Sequence, residues 1–224
     1  GRYDLVDIDG DYNFSEERFS NDKSLGVFVP RMAVMYDLSE TLKLRGAYAQ
    51  GYRAPQAFDE DLHIETVGGA ALFTQLDPDL STERSNSYTA SLNYSKTTDE
   101  IQTSIVLEGF YTDLVNPFIV TNQRELPNGV AIATKRNSDG AYVAGVNLEY
   151  NSSIKEKWLI NVGLTSQIGK YDQEEELWSP NEVNDSNADS VVSTASMLRT
   201  PDLYGYFSLT YTPFKKWEFN YSGV

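Results

Sequence analysis

Alternation with a period of two runs through most of this sequence, and a chain patterned that way folds as strands, because successive side chains of a strand point to opposite faces. From Tyr88 to Tyr94 the even positions carry Tyr88, Ala90, Leu92 and Tyr94, and the odd positions carry Thr89, Ser91 and Asn93. Leu42, Leu44 and Tyr48 alternate with Lys43, Arg45 and Ala47, and Ile101, Ile105 and Leu107 oppose Gln102, Ser104 and Glu108. Tyr142, Ala144, Val146, Leu148 and Tyr150 oppose Val143, Gly145, Asn147 and Glu149. Ile160, Val162 and Leu164, then Phe207, Leu209 and Tyr211, then Trp217, Phe219 and Tyr221 repeat the pattern. One face is apolar or aromatic, and the other is small and polar. Helical periodicity is almost absent, so the fold class is all-β.

The connections between these runs alternate in length. Short ones fall at 39–41, 96–100, 153–157 and 214–216, and long ones cover roughly 9–24, 53–81, 113–140 and 172–201. A compact soluble domain rarely carries several loops above ~15 residues. A membrane barrel does, with short turns on one side and long loops on the other. Aromatics also collect at two levels. Tyr36, Tyr94, Tyr150, Trp158, Tyr211, Phe214 and Trp217 lie near the short turns, and Tyr48, Tyr52, Tyr88, Tyr111, Tyr142, Tyr171 and Tyr204 near the long loops. Two such levels match the aromatic girdles at the two membrane interfaces. The expectation is an antiparallel up-and-down meander of about eight strands, a partial transmembrane barrel. A soluble extracellular β-sandwich that binds glycans or protein partners is the alternative. There the same apolar rows would face a dry core.

Composition narrows function. With no cysteine and one histidine, His63, among 224 residues, the chain holds no disulfide framework and no histidine-cluster metal site. A net charge of −15 is the opposite of the basic face that nucleic acid requires. No apolar run is long enough for a transmembrane helix, which leaves a barrel open because barrel strands are apolar only at alternate positions. No nucleophile–base pair and no phosphate-cradling glycine loop is present, so an enzyme is not expected and neither is a cofactor.

Two stretches carry a family resemblance. Leu44 to Gly69 reads LRGAYAQGYRAPQAFDEDLHIETVGG, with an aromatic, Arg and Ala-Pro closing a strand. It resembles the "FRAP"-type segment of TonB-dependent outer-membrane receptors. Leu76 to Leu92 reads LDPDLSTERSNSYTASL and resembles that family's "NPxLxxExSxxxExG" signature at Asp77, Pro78, Leu80, Glu83 and Ser85. Asp77 replaces the usual Asn, Thr89 stands where a Glu is common, and Ala90 replaces the Gly. LEGFYTDLVNPF (107–118) has the character of Bacteroidetes receptors. The resemblance implies that residues 1–224 are part of a 22-stranded barrel, without its N-terminal plug, the TonB box or the last strand. It implies a parent that imports a scarce solute, such as an iron chelate, cobalamin or another large nutrient, with energy delivered through TonB. Expected partners are the bilayer, lipopolysaccharide, the nutrient and the TonB complex through the plug. The expected location is the bacterial outer membrane with the long loops extracellular. Open sheet edges would favour self-association of an isolated fragment.

Site candidates sit in the loops. Arg53 and Glu83 flank the second long loop on adjacent strands and can meet at its mouth. Arg53, Asp59, Asp61 and His63 are the candidates for substrate contact, with Glu60 beside them. Asp185, Asn187 and Asp189 at i, i+2 and i+4 imitate the first half of a calcium loop, with Ser190 in place of the Gly and Ser196 in place of the bidentate Glu. Residues 172–190 hold seven acids and no Lys or Arg. Lys96, Lys155, Lys157, Lys215 and Lys216 lie in the short turns. Acidic long loops would repel free anions and favour cations.

Overall fold

The computed structural model describes residues 1–14, 17–55, 72–77, 79–125, 131–178, 192–198 and 200–224, with no helix among them. The strands are β1 (Arg2–Phe14), β2 (Glu17–Val29), β3 (Arg31–Asp37), β4 (Leu42–Arg53), β5 (Leu72–Leu76), β6 (Glu83–Thr97) and β7 (Ile101–Val115). They continue as β8 (Phe118–Glu125), β9 (Ala131–Asn137), β10 (Ala141–Ile154), β11 (Trp158–Trp178), β12 (Val192–Ser196), β13 (Leu203–Phe214) and β14 (Trp217–Gly223). The wall is the antiparallel path β3-β4-β6-β7-β10-β11-β13-β14, and β12 pairs with β11 beside it.

The expected short connections are tight turns at one end of this wall, at 38–41, 98–100, 155–157 and 215–216. At the third turn Lys157 N–H donates to Ile154 C=O (3.0 Å), and Lys155 and Glu156 both have positive φ, 53° and 55°. That is a type I′ turn, whose twist matches the strands it joins. The opposite end carries all the long connections.

Register fixes which rows share a face. Tyr48, Tyr88 and Tyr111 are successive cross-strand partners on β4, β6 and β7. Two residues further along lie Gly46, Ala90, Gly109 and Val146, and two further again Leu44, Leu92, Leu107 and Leu148. These rows share one face and are exposed: Tyr88 51%, Leu107 47%, Leu164 47%. Ring contacts tie the belts together. Tyr48 and Tyr88 are 5.1 Å apart, Tyr111 and Tyr142 5.9 Å, and Trp158 stacks on Tyr211 at 3.9 Å. The opposite face is polar. Arg45, Ser91, Glu108, Asn147, Thr165 and Tyr204 form one row across six strands. Within it Thr165 Oγ1 donates to Asn147 Oδ1 (2.9 Å), and Asn147 Nδ2 to Glu108 Oε1 (3.3 Å).

Such a molecule is inside out. Prolines and glycines aside, only Val27, Leu80, Ile119 and Ala141 are buried apolar residues among those described. The accessible surface is 15,665 Å², where a compact monomer of 25.2 kDa would expose about 10,000 Å². Among the described residues no second sheet covers the outward rows, so the sandwich alternative fails on its own discriminating feature.

Three expectations need amending. Tyr171 and Tyr204 have the right level but the wrong face. Tyr204 pairs with Thr165 and Tyr171 with Ala141, both on the concave side. The first long loop is a hairpin of β1 and β2, paired from Arg2 with Val29 to Phe14 with Glu17. The second and third loops contribute a small sheet, β5-β9-β8, in which β5 runs parallel to β9. Among the described strands every pairing is therefore antiparallel except that of β5 with β9.

Candidate functional site: the cavity at the long-loop end

The site begins where β7 stops. Asn116 turns the chain in the left-handed region (φ 53°), a conformation Asn tolerates better than most residues, and buried Pro117 directs β8 back across the mouth. Asn137, at the end of β9, clasps this corner. Its side chain donates to Asn116 C=O (2.7 Å) and Ser81 C=O (3.1 Å) and accepts from Ser81 N–H (2.7 Å) and Ser81 Oγ–H (3.1 Å).

The stretch that resembled the receptor signature supplies the other half of the clasp. Asp77 Oδ1 accepts from Asp79 N–H (2.9 Å), an Asx turn that an aspartate closes as well as an asparagine. Asp77 N–H donates to Lys135 C=O (2.9 Å), Leu80 is 3% exposed, and Glu83 Oε2 accepts from Phe118 N–H (2.8 Å). Arg53 and Glu83 are direct cross-strand partners but form no ion pair. Both serve Phe118 instead. The Arg53 guanidinium sits 5.5 Å from its ring centroid and the Lys135 ammonium 5.7 Å, within cation–π range.

Phe118 in turn walls a cavity of about 580 Å³ between β8, the upper part of β11 and β12. Ile119, Val120, Met197 and Leu198 give it an apolar floor and rim, and Tyr171, Glu175 and Glu176 give it an acidic side. Glu175 is 8% exposed, takes a short hydrogen bond from Ser138 Oγ and pairs with Arg136 Nη2 at 3.1 Å. This holds the extension of β11 against β9. Burial raises the Tyr171 phenol above its ordinary value, and the Glu175 and Glu83 carboxylates add to the shift. Gly169 faces Met197, whose Cβ, Sδ and Cγ lie 3.3–3.5 Å from where a Cβ would stand, so the missing side chain lets Met197 lie flat.

Of the sequence candidates, Arg53 is placed at this mouth. Asp59, Glu60, Asp61, His63, Asp185, Asn187, Asp189 and Ser190 lie outside the described residues. Ser196 lines the cavity, opposite Lys170 in register. Among the described residues no cluster of three His, Cys, Asp or Glu side chains is arranged to hold a metal ion. Phe118, Asn137 and Glu175 were not among the sequence candidates.

An open antiparallel wall with an aromatic-bounded greasy exterior, a hydrogen-bonded polar interior and all its long loops at one end defines a segment of a membrane-spanning β-barrel. Within that class the chain belongs to the TonB-dependent receptor family: the family described as "TonB dependent receptor-like, beta-barrel" matches residues 1–224. No curated protein matches the chain. Among solved structures it is similar to the hemophore receptor HasR of Serratia marcescens, at 17% identity and a TM-score of 0.64 over 96% of this chain and 37% of that one. It is also similar to the ferric-catecholate import receptor Fiu of E. coli K12 (13% identity, TM-score 0.58, 95% and 28% covered). A third is the alcaligin outer-membrane receptor FauA of Bordetella pertussis (21% identity, TM-score 0.51, 90% and 29% covered). The chain thus spans about a third of the length of these receptors.

Proposed function

We propose that this chain is the wall and external-loop segment of an outer-membrane importer that captures a scarce solute and moves it inward with energy delivered through TonB. The observation that carries the reading is the inverted burial: apolar rows outward between two aromatic belts, polar rows inward, and a cavity at the long-loop end. Outward apolar rows need acyl chains as their solvent, and a closed barrel satisfies every backbone donor and acceptor inside the bilayer. The similar receptors are named for a hemophore with heme, for alcaligin and for ferric catecholates. An iron chelate or another large nutrient is the corresponding cargo here. The long loops face the outside, where solute arrives, and the Lys-bearing turns face the periplasm. Lipopolysaccharide surrounds the outer belt, and TonB acts through the plug of the whole receptor. The acidic stretch around Asp185, Asn187 and Asp189 is proposed as a weak calcium site on that external side.

The absence of native cysteine in this segment makes topology directly testable. Asp139→Cys is expected to react with a membrane-impermeant maleimide on intact cells, and Lys155→Cys only after the outer membrane is opened. The reverse pattern would overturn the orientation. Loss of nutrient-limited growth on deleting the receptor, matched by loss on deleting TonB, tests the uptake itself.

A further inference from the structure

We propose that the short-turn corner formed by β11, β13 and β14 binds the headgroup of an anionic phospholipid from the adjoining leaflet. The proposal rests on the membrane reading of the wall, but on neither the cargo nor the orientation of the loops.

A bulge builds this corner. The pairing of β13 with β14 shifts between Tyr211, which faces Phe219, and Phe214, which faces Trp217. Parity alone would put Phe214 in the polar rows with Ser208 and Thr210. The bulge, with Pro213 inside it, places Phe214 on the apolar face opposite Trp217 instead. The two rings are 71% and 63% exposed, Trp217 lies 6.2 Å from Phe219, and Trp158 stacks on Tyr211 next to them. Aromatics at such a level meet lipid headgroups. Lys215 and Lys216 form the turn between Phe214 and Trp217, and Thr212 N–H donates to Lys157 C=O (2.8 Å), which sets the preceding turn beside it. All three lysines are exposed, and among the described residues their ammonium groups have no hydrogen-bond or ion-pair partner. The nearby acids are occupied or face the other way. Glu100 pairs with Lys155 (3.6 Å), and Glu218 shares the polar face with Asn220, which donates to Thr210 Oγ1 (2.8 Å). That leaves three lysines against one glutamate, Glu156. A lysine stem lies along apolar surface while its ammonium reaches the phosphate level, and each such cation strengthens binding to anionic lipid about fivefold.

The test titrates the intact receptor, in neutral detergent micelles, with phosphatidylglycerol or phosphatidylcholine and reads bound lipid by native mass spectrometry. Phosphatidylglycerol is expected to bind at least about tenfold more tightly. Lys157→Gln, Lys215→Gln and Lys216→Gln together should reduce that preference to less than about twofold, while the same three positions changed to Arg should keep it. Lys43→Gln is the control. It lies at the same level but five strands from β13, about 24 Å along the wall at roughly 4.8 Å per strand, and is already paired with Asp37. At 0.1 M salt that is beyond the Debye length of about 10 Å, so it should change the affinity less than about twofold. Glycerol phosphate, the soluble headgroup, should not displace the lipid. A Gln variant that keeps the preference, an Arg variant that loses it, a Lys43→Gln change as damaging as the triple one, or displacement by glycerol phosphate would each overturn the proposal. In those cases the receptor still binds detergent and phosphatidylcholine, and the membrane reading stands. A receptor that stays monomeric and lipid-free without detergent would overturn both.

Discussion

Leu107 is nearly half exposed, and in a soluble protein replacing such a residue by Arg would change stability by no more than about 0.5 kcal/mol. In this fold the same change places a guanidinium among acyl chains. Leu107 lies four residues from Tyr111 on β7, about 13 Å along the strand at 3.3 Å per residue. With a strand tilt near 40° that is about 10 Å below the tyrosine belt, close to the midplane of an apolar band about 25 Å tall. Leu107→Arg should therefore cost about 2–4 kcal/mol. Its neighbour Val106 faces the polar side, between Asn93 and Glu149 in register, and Val106→Arg brings a cation beside a carboxylate. That change should cost less than about 1 kcal/mol. The assay is urea unfolding of the intact receptor in phosphatidylcholine vesicles, with the two variants compared at equal slope. Should Leu107→Arg prove neutral while Val106→Arg destabilises, the assignment of faces would be reversed and the membrane reading with it.

Glycines give a second contrast. A Cβ at Gly46 or Gly109 meets nothing within 4 Å, so Gly→Ala there should be neutral or stabilise by up to about 1 kcal/mol in the same unfolding assay. At Gly205 it meets the Gly163 carbonyl at 2.5 Å, and at Gly163 the Tyr206 ring, so both should lose about 1–3 kcal/mol. Asn137→Ala removes the four hydrogen bonds of the clasp, and amide exchange at 76–82 and 116–118 should accelerate roughly tenfold to a hundredfold. Replacing Lys155 and Glu156 by Asn-Gly relieves two positive-φ side chains and should stabilise the turn by about 1–2 kcal/mol, read from the urea midpoint. Tyr171 should ionise above the ordinary phenol range in a pH titration of its own ring resonance, assigned by its disappearance in Tyr171→Phe. Its raised folded-state pKa means a contribution to stability fully present below the ordinary value of 10.0 and lost as pH rises through the folded value. A titration at or below 10.0 would contradict the buried, acid-facing placement.

The wall was legible because lipid on one side and a polar interior on the other impose strict alternation, and alternation fixes face once the short turns fix register. Tyr88, Leu92 and Tyr94 needed nothing more. Tyr171 and Tyr204 show the limit of arguing from level alone: counting residues from a loop gives depth, and only parity gives face. Residues 9–24 of the hairpin β1–β2 and the sheet β5-β9-β8 were read as loops for a related reason. Above the membrane neither face meets acyl chains, so the backbone ladder can form with polar residues on both sides and no period-two signal survives. Glu175 was one acid in a run of acids, and what distinguishes it is a partner, Ser138, 37 residues away. Asn137 likewise gains its role from Ser81 and Asn116, and no local pattern marks it.

The receptor-like signature gains a physical meaning from this geometry. The greasy face stabilises the wall against lipid but contributes nothing to loops that stand above the belt. Those loops have few buried apolar residues to anchor them, with Leu80, Ile119 and Ala141 at or near the mouth. Directional contacts must then do the fixing, and among the described residues no buried side-chain polar atom lacks a partner. Asp77 closes a turn, Leu80 plugs the joint, and Ser81 is gripped by Asn137. Glu83 holds the first amide of β8, while the Ser85 hydroxyl stands beside Gly51 on the neighbouring strand, 2.7 Å from where a Cβ would be. Asp77 and Glu83 thus join the second long loop to the third at the point where both leave the wall. Phe118 is common to that joint and to the cavity. Its ring meets Arg53 and Lys135 while its backbone amide is held by Glu83, so one residue ties the side-chain contacts of the mouth to the start of β8.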